Sequence, residues 1–323
     1  MKDEILMIVN PTSGVDVNKD TVIETAARLL ESQGLRLNVE FTKAKGDASK
    51  LASAAIDGGC RTVIAAGGDG TVREVANALW GSSTALGILP LGSGNGLARS
   101  LWIPQDYEKA IKIVGENHVI NIDRGTANGH HFYSAFGVGF DAEVSYRFAL
   151  DPHRGRKTYI KYALKELFTY KPRRYKIETD EGILEVEALL IAVCNCMQYG
   201  NNAYISPNAD PTDGKLDITV VHQGNLALRA VAGFDLISGR LDQNVLVDMF
   251  CSGSVSIEPE DGNSLVHLDG EPVKTSLPVR IDCEVAGLRV VVPSKHKAFQ
   301  PIISPAEAMW DDIVVDLKKR FKQ

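Results

Sequence analysis

Short apolar runs, each closed by a polar or glycine-rich turn and each followed by a helical pattern, recur through the first ninety or so residues, and this alternation most constrains the fold. The runs are "ILMIVN" from Ile5, "LRLNVEFT" from Leu35, "TVIAAGGD" from Thr62 and "ALGILP" from Ala85. Between them lie helical patterns over Thr21 to Ser32, Ala48 to Ile56 and Thr71 to Leu79. Strands that helices cover on both faces are short, rich in β-branched residues and continuously apolar, so the alternation predicts a parallel α/β sheet. In such a sheet binding sites form where the strands end.

After about residue 124 the texture changes to period-two segments: "HHFYSAFGVGF", "YKIETDEGILEVEALLIAVCN", "LDITVV", "VLVDMF", "VSIEPE" and "VRIDCEVAGLRVVVP". Their turns carry Asp-Glu-Gly, Asp-Gly and Glu-Asp-Gly, which favours antiparallel hairpins over further crossover helices. A β-rich second domain is expected, with one inserted helix over Leu226 to Leu241. Pro305 to Phe321 reads as a closing helix whose Asp311 and Asp312 precede a basic end. A chain of 323 residues suits two domains, here 1–124 and 125–323, with the segment from about 293 expected to pack back on the first.

Charge and cysteine usage narrow the function classes. A net charge of −6 argues against a general nucleic-acid binder, which needs a dominant basic face. The opening apolar run is too short for a signal peptide core and no stretch is long enough for a membrane span, so a cytoplasmic protein is expected. Five cysteines without metal-type spacing fit reduced thiols, and Cys194 and Cys196 alternate along a strand pattern. One segment stands apart: Arg154 to Lys176 holds nine basic residues against one acid, Glu166, with Tyr159, Tyr162, Leu164, Leu167, Phe168 and Tyr170 interleaved. Such a stretch reads either as an interfacial helix or as a solvated helix packed by its apolar stripe.

The strand-end loops carry the chemistry. In "AAGGDGTVREVANAL" the strand breaks at Gly67 and Gly68, and a helix starting near Thr71 leaves backbone amides of Gly68 to Thr71 facing outward, as a phosphate site requires. Asp69 in that loop either neutralises a phosphate-bound cation, orients a hydroxyl, or caps the helix. The next strand ends in "LPLGSGNGLARSL", where Ser93 and Asn95 offer donors and Gly92, Gly94 and Gly96 allow close backbone approach. A third loop, "NPTSG", adds Asn10, Thr12 and Ser13. Three polar loops at successive strand ends make one crevice for a nucleotide. It is not a P-loop, since G-x-x-x-x-G-K-[ST] is absent, and Leu97 stands where a dinucleotide fingerprint needs its third glycine.

Together "NPTSG", "GGDGTVREVANAL", "LPLGSGNGLARSL", "DGKLDITVV" and "LDGEPV" resemble the diacylglycerol kinase and sphingosine kinase type of lipid kinase, in order and over almost the whole chain. The resemblance implies an α/β nucleotide-binding domain followed by a β-sandwich for the lipid substrate, with the active site in the cleft between them. It implies ATP and Mg2+ as cofactors and phosphorylation of a lipid hydroxyl, as in diacylglycerol or a sphingoid base. Gly67, Gly68, Gly70 and Thr71 would then lie on the phosphates, with Asn10, Thr12, Ser13, Thr42, Gly92, Ser93, Gly94 and Asn95 lining the nucleotide site. Glu271, in the late "DGE", is implied as the general base, with Asp69 placing metal or substrate, or itself acting as the base as in some relatives. "GFDAEV" makes Asp141 and Glu143 headgroup candidates, and "TDGKLDI" resembles a structural magnesium site at Asp213 and Asp217, against a plain turn. The expected partners are a lipid and, through Arg154 to Lys176, a transiently bound membrane surface, with a second copy of the chain as a further candidate. "GSGNG" and the Gly46, Asp47, Ala48 run depart from the pattern usual in bacterial diacylglycerol kinases. The alternatives are a kinase of the same superfamily acting on NAD or a sugar phosphate, and a nucleotide sensor without turnover.

Overall fold

A computed structural model describes residues 4–14, 17–151, 162, 166 and 169–294. The chain forms two compact units, one built on Met1–Ile122 with a returning segment that starts at Ala286, the other on Asp123–Val285.

The first unit runs β1 (Glu4–Val9), α1 (Lys19–Glu31), β2 (Arg36–Phe41), α2 (Asp47–Asp57), β3 (Thr62–Gly67), α3 (Asp69–Leu79), β4 (Ala85–Pro90), α4 (Gly96–Ser100) and α5 (Tyr107–Glu116), then enters β5 (Val119–Ala127). Its strands are all parallel in the order β4-β3-β1-β2, with Met7 beside Ile64 and Ile64 beside Gly87. The returning segment adds Val290, parallel beside Leu86. Every residue of β3 and β4 is buried, which is why those runs carry no polar alternation. β2 lies at the edge, and there Arg36, Asn38 and Glu40 alternate with Leu37, Val39 and Phe41. Side chains set the helix starts: Asn18 accepts from the amides of Asp20 and Thr21, and Asp106 from those of Glu108 and Lys109.

The second unit continues with β6 (His130–Phe132), β7 (Ala135–Gly139), α6 (Phe140–Leu150), β8 (Arg173–Thr179), β9 (Gly182–Cys194), β10 (Leu216–His222), α7 (Leu226–Ser238), β11 (Val247–Ser252), β12 (Ser254–Pro259), β13 (Leu265–Leu268), β14 (Glu271–Lys274) and β15 (Val279–Val291). Its strand pairs are antiparallel. β9 changes partners along its length: Gly182 to Ala188 pair with β8, whereas Leu190 to Cys194 lie between β7 and β10. One apolar cluster, including Phe132, Phe136, Tyr175, Ile191, Ile257 and Ile281, fills the interior. Cys194 and Cys196 are buried within this unit, and all five cysteines are free thiols.

Three sequence expectations change here. The strand-like run "HHFYSAFGVGF" stops short of its last residue: Gly139 at φ +96° ends β7, and α6 starts at Phe140. The inserted helix ends at Ser238, after which Gly239 at φ +69° breaks it and a separate 3-10 turn covers Leu241–Gln243. The basic segment does not run as one helix to Lys176, because Arg173, Arg174 and Lys176 lie on β8. Within it only Tyr162, Glu166 and residues 169–176 are described, and Arg156, Lys157, Lys161 and Lys165 lie outside the described residues. So does the expected closing helix over Pro305 to Phe321.

Candidate active site

In the first unit the loops after β1, β2, β3 and β4 share the carboxyl edge of the parallel sheet. Asn10, just past β1, is a hub: its backbone amide donates to Ala66 O at 3.0 Å and its Nδ2 to Thr71 Oγ1 at 3.0 Å. Its Oδ1 accepts from Thr12 N at 3.0 Å and Thr12 Oγ1 at 2.8 Å. The first loop is thereby tied to the first turn of α3. Thr42, at the end of β2, donates its amide to Val9 O at 3.0 Å and is half-buried, as is Ser13.

The two glycine loops are built against each other. A Cβ on Gly92 would lie 2.5 Å from Gly68 Cα, and one on Gly94 would lie 2.8 Å from Asp69 Oδ2, so only glycine allows this approach. A Cβ on Gly67 would likewise collide with the Thr71 side chain at 2.6 Å. Asp69 is not the cap of α3; that place is held by Gly68, which has no side chain to give. Its carboxylate instead reaches the neighbouring loop, where Oδ2 accepts from Asn95 N at 2.8 Å and Oδ1 from Gly96 N at 2.7 Å. A carboxylate acceptor makes these charge-assisted bonds, roughly twice as strong as neutral ones.

Asn95 does not present its side chain as a free donor. It is buried in the left-handed conformation at φ 53°, and its Nδ2 donates to Gly92 O at 2.9 Å and Gln105 Oε1 at 2.8 Å. Ser93, by contrast, is exposed. Gln105 is a supporting residue that no motif marks. The departure at Asp47 also finds its cause: Oδ2 accepts from Lys43 N at 3.0 Å and Ala44 N at 2.9 Å, folding the loop before α2, and these two backbone bonds hold its carboxyl below the usual range.

The donor set at this edge suits a nucleotide's phosphates. The first turn of a helix has amides with no acceptor inside the helix, and the N-cap of α3, Gly68, has no side chain to offer them. For magnesium the fit is narrower. Among the described residues no group of three or more His, Cys, Asp or Glu side chains is arranged to hold a metal ion. A magnesium ion here would use Asp69 with phosphate oxygens and water, the usual manner for this small, strongly hydrated cation.

In the second unit, β13 and β14 are joined by Asp269 and Gly270, both left-handed at φ 49° and 79°. This is the two-residue hairpin that an Asp-Gly pair favours. The Asp269 carboxylate accepts from the amides of Tyr133 at 3.1 Å, Ser134 at 2.7 Å and Ala135 at 3.2 Å, pinning the turn to the chain entering β7. Glu271 follows as the first residue of β14, half-buried and paired with Leu268.

Asp141 lies in the first turn of α6 and is buried; it accepts from Tyr199 OH at 2.7 Å and meets His267 Nε2 at 3.0 Å. Its polar side-chain neighbours are thus Tyr199 and His267. Glu143 pairs with Arg147 at 2.8 Å, and Arg147 reaches Glu166 at 3.0 Å. Asp213 is exposed in a turn, accepting from Lys215 N at 2.9 Å, whereas Asp217 is buried on β10 beside Cys251 Sγ at 3.5 Å, and burial pushes its carboxyl up to about 6.

Between α7 and the strands β9 and β10 lies an apolar pocket of about 90 Å³, open to solvent, lined among others by Phe140, Leu189, Ile205, Val221, Leu236 and Leu246. Among the described residues Arg229 is its one charged lining residue, with Nε donating to Gly224 O and a second nitrogen to Tyr170 O. No single motif marks this pocket, because its walls come from distant segments.

Residues 4–127 match the diacylglycerol kinase catalytic domain, and residues 134–292 match the YegS C-terminal NAD kinase beta sandwich-like domain. A Klebsiella pneumoniae protein named "Probable lipid kinase YegS-like" is 33% identical over 294 residues, covering 89% of this chain and 95% of that one. A Cronobacter sakazakii protein of the same name is 34% identical over 208 residues, 62% of this chain and 69% of its own. A crystal structure of a diacylglycerol kinase from Bacillus anthracis superposes with a TM-score of 0.72 at 26% identity, covering 90% of this chain and 97% of that one. No described helix is long and apolar enough to cross a membrane. With its strand-end glycine loops on an α/β unit and a β-sandwich-like unit after it, the chain belongs to the family of YegS-like lipid kinases, which carry a diacylglycerol kinase catalytic domain.

Proposed function

We propose that this kinase transfers the γ-phosphate of ATP to the hydroxyl of a long-chain lipid such as diacylglycerol or a sphingoid base. The observation that carries the acceptor class is the apolar pocket under α7, walled by leucine, isoleucine, valine and phenylalanine. Apolar walls of this kind suit the chain of a lipid, whereas NAD or a sugar phosphate needs polar and cationic walls. ATP with magnesium supplies the phosphoryl group and neutralises its charge. The amides at the start of α3 hold the phosphates, and Asp69 keeps the second loop in register with them. Glu271, on the pinned hairpin, is assigned as acceptor of the hydroxyl proton; such assistance contributes about 10²- to 10⁴-fold. Recruitment to the membrane is assigned to the basic segment from Arg154, on its sequence.

The test is phosphate transfer from ATP with magnesium to a panel of acceptors, followed by product mass. Diacylglycerol or a sphingoid base in mixed micelles is expected to gain one phosphate, and NAD, glycerol and sugar phosphates none. Transfer to NAD or a sugar phosphate alone, or to no acceptor, overturns the proposal.

A further inference from the structure

Behind the Asp269–Gly270 turn lies a chain of polar groups, the buried His267 and Asp141 and the half-buried Tyr199, whose association no motif of the sequence marks. His267, on β13, is 2% exposed and stands opposite Gly137 of β7. A Cβ at Gly137 would lie 2.4 Å from His267 Nε2 and closer still to Asp141 Oδ2, so the absent side chain makes room for this pair. Asp141 Oδ1 accepts from Ala142 N at 2.8 Å, while Oδ2 takes both the Tyr199 hydroxyl at 2.7 Å and His267 Nε2 at 3.0 Å. The Tyr199 ring stands edge-on to the imidazole, 5.5 Å between centroids. On the other side of the imidazole, Gly270 N donates to Nδ1 at 3.4 Å. An amide donor at Nδ1 and a carboxylate at Nε2 together select one tautomer, with the proton on Nε2 and a lone pair on Nδ1.

We infer that Tyr199, Asp141 and His267 form a positioning network that fixes the Gly270 amide and so orients the backbone from which Glu271 projects. The inference rests on the proton-acceptor role proposed for Glu271. Cross-strand pairing puts His267 with Pro272 and Leu268 with Glu271, so the imidazole faces away from the Glu271 side chain and acts through the turn. Groups that act at this remove place a carboxylate; they do not exchange protons with substrate. A misplacement of about an ångström at a reacting group costs roughly 10²-fold in rate.

The experiment compares His267→Leu, His267→Gln and Tyr199→Phe in the full chain, with Glu271→Gln as reference. Glutamine can accept from the Gly270 amide and donate to Asp141; leucine can do neither. Expected are a fall in kcat of about 10- to 100-fold for His267→Leu with KM for ATP unchanged, partial recovery in His267→Gln, and a smaller fall in Tyr199→Phe. The Gly270 amide is expected to exchange its hydrogen faster in His267→Leu than in His267→Gln. In the unsubstituted protein, nitrogen NMR of His267 is expected to show the proton on Nε2. Equal kcat in the leucine and glutamine variants, unchanged Gly270 exchange, or a proton on Nδ1 overturns the inference. Should His267→Leu fail to fold, Tyr199→Phe and the tautomer decide it. Normal kcat in Glu271→Gln overturns the proton-acceptor reading instead, whatever the Gly270 amide does.

Discussion

Asp69 shows how a charged side chain in a glycine loop can serve the loop next to it. Both of its oxygens are engaged by amides of the second loop, at 2.8 and 2.7 Å, and the glycines at 68, 92 and 94 exist to let the two loops meet. An asparagine at this position would keep one acceptor and turn an NH2 group toward an amide N–H. Asp69→Asn is therefore expected to fold but to lose about 1–3 kcal/mol of stability together with the loop's register. Phosphate transfer is expected to fall by about 10²-fold or more. Thermal melts and steady-state rates on the same preparation check this, and a well-folded variant with normal turnover contradicts the role. The sequence marks Asp69 as a special residue of a glycine loop. Its partners, Asn95 and Gly96, lie twenty-six and twenty-seven positions away and become visible only when β3 and β4 lie side by side.

At the scale of elements, β10 carries a testable conflict. Asp217 sits in a strand whose other residues through Val221 are buried and apolar apart from Thr219, and burial lifts its carboxyl from 3.8 to about 6. The folded state then holds a proton that the unfolded chain has already released between these two values. Stability is present below pH 4 and declines as pH rises through about 6. Asp217→Asn removes that decline and is expected to be about 1–3 kcal/mol more stable than the unsubstituted protein above pH 6. Magnesium separates the two readings of this turn. If Asp213 and Asp217 hold the ion, millimolar magnesium raises the melting temperature of the unsubstituted protein and leaves Asp217→Asn unchanged; if they are only a turn and a buried strand residue, it has no such differential effect. The hairpin at Asp269 and Gly270 was legible as an Asp-Gly turn signal. Its anchoring to the amides at Tyr133 to Ala135 was not, since that bond pattern joins segments more than 130 positions apart.

For the whole molecule, the question is how a chain with net charge −6 would meet the lipid acceptor proposed for it at a membrane surface. Its Arg154 to Lys176 segment carries +8, so attraction to an anionic surface is local and must act against a remainder of −14. Each engaged cation contributes about 1 kcal/mol at an anionic leaflet, screened over roughly 8 Å at physiological salt. Charge reversal of Arg156, Lys157, Lys161 and Lys165 is expected to reduce co-sedimentation with anionic vesicles and activity on vesicle-borne lipid, while sparing a short-chain acceptor in solution. Vesicle binding that is indifferent to those substitutions or to salt rules the docking role out. The described end of the segment already shows a mixed character: Arg173 pairs with Asp261 at 3.1 Å and lies over the Tyr170 ring, and Glu166 is buried against Arg147.

By itself the sequence determined the two-part architecture and the location of the strand-end glycine loops, because apolar periodicity and glycine turns are local physics: a run buried on both faces, an alternating run and a positive-φ turn each need particular residues in consecutive positions. It also carried the family, through motifs whose order along the chain is itself a signal. The tertiary structure decided what each polar residue does. Asp141 reads the same in sequence whether it faces a ligand or a buried histidine, and only the packing of α6 against β13 turns it toward His267. Asn95 reads as a donor to ligand until its side chain is found closing its own loop on Gly92 and Gln105. The apolar pocket belongs to neither α7 nor β9 nor β10 alone. A hydrogen bond or a cavity is a property of two or more segments brought together, and the free energy that brings them together comes from burial distributed over the whole core.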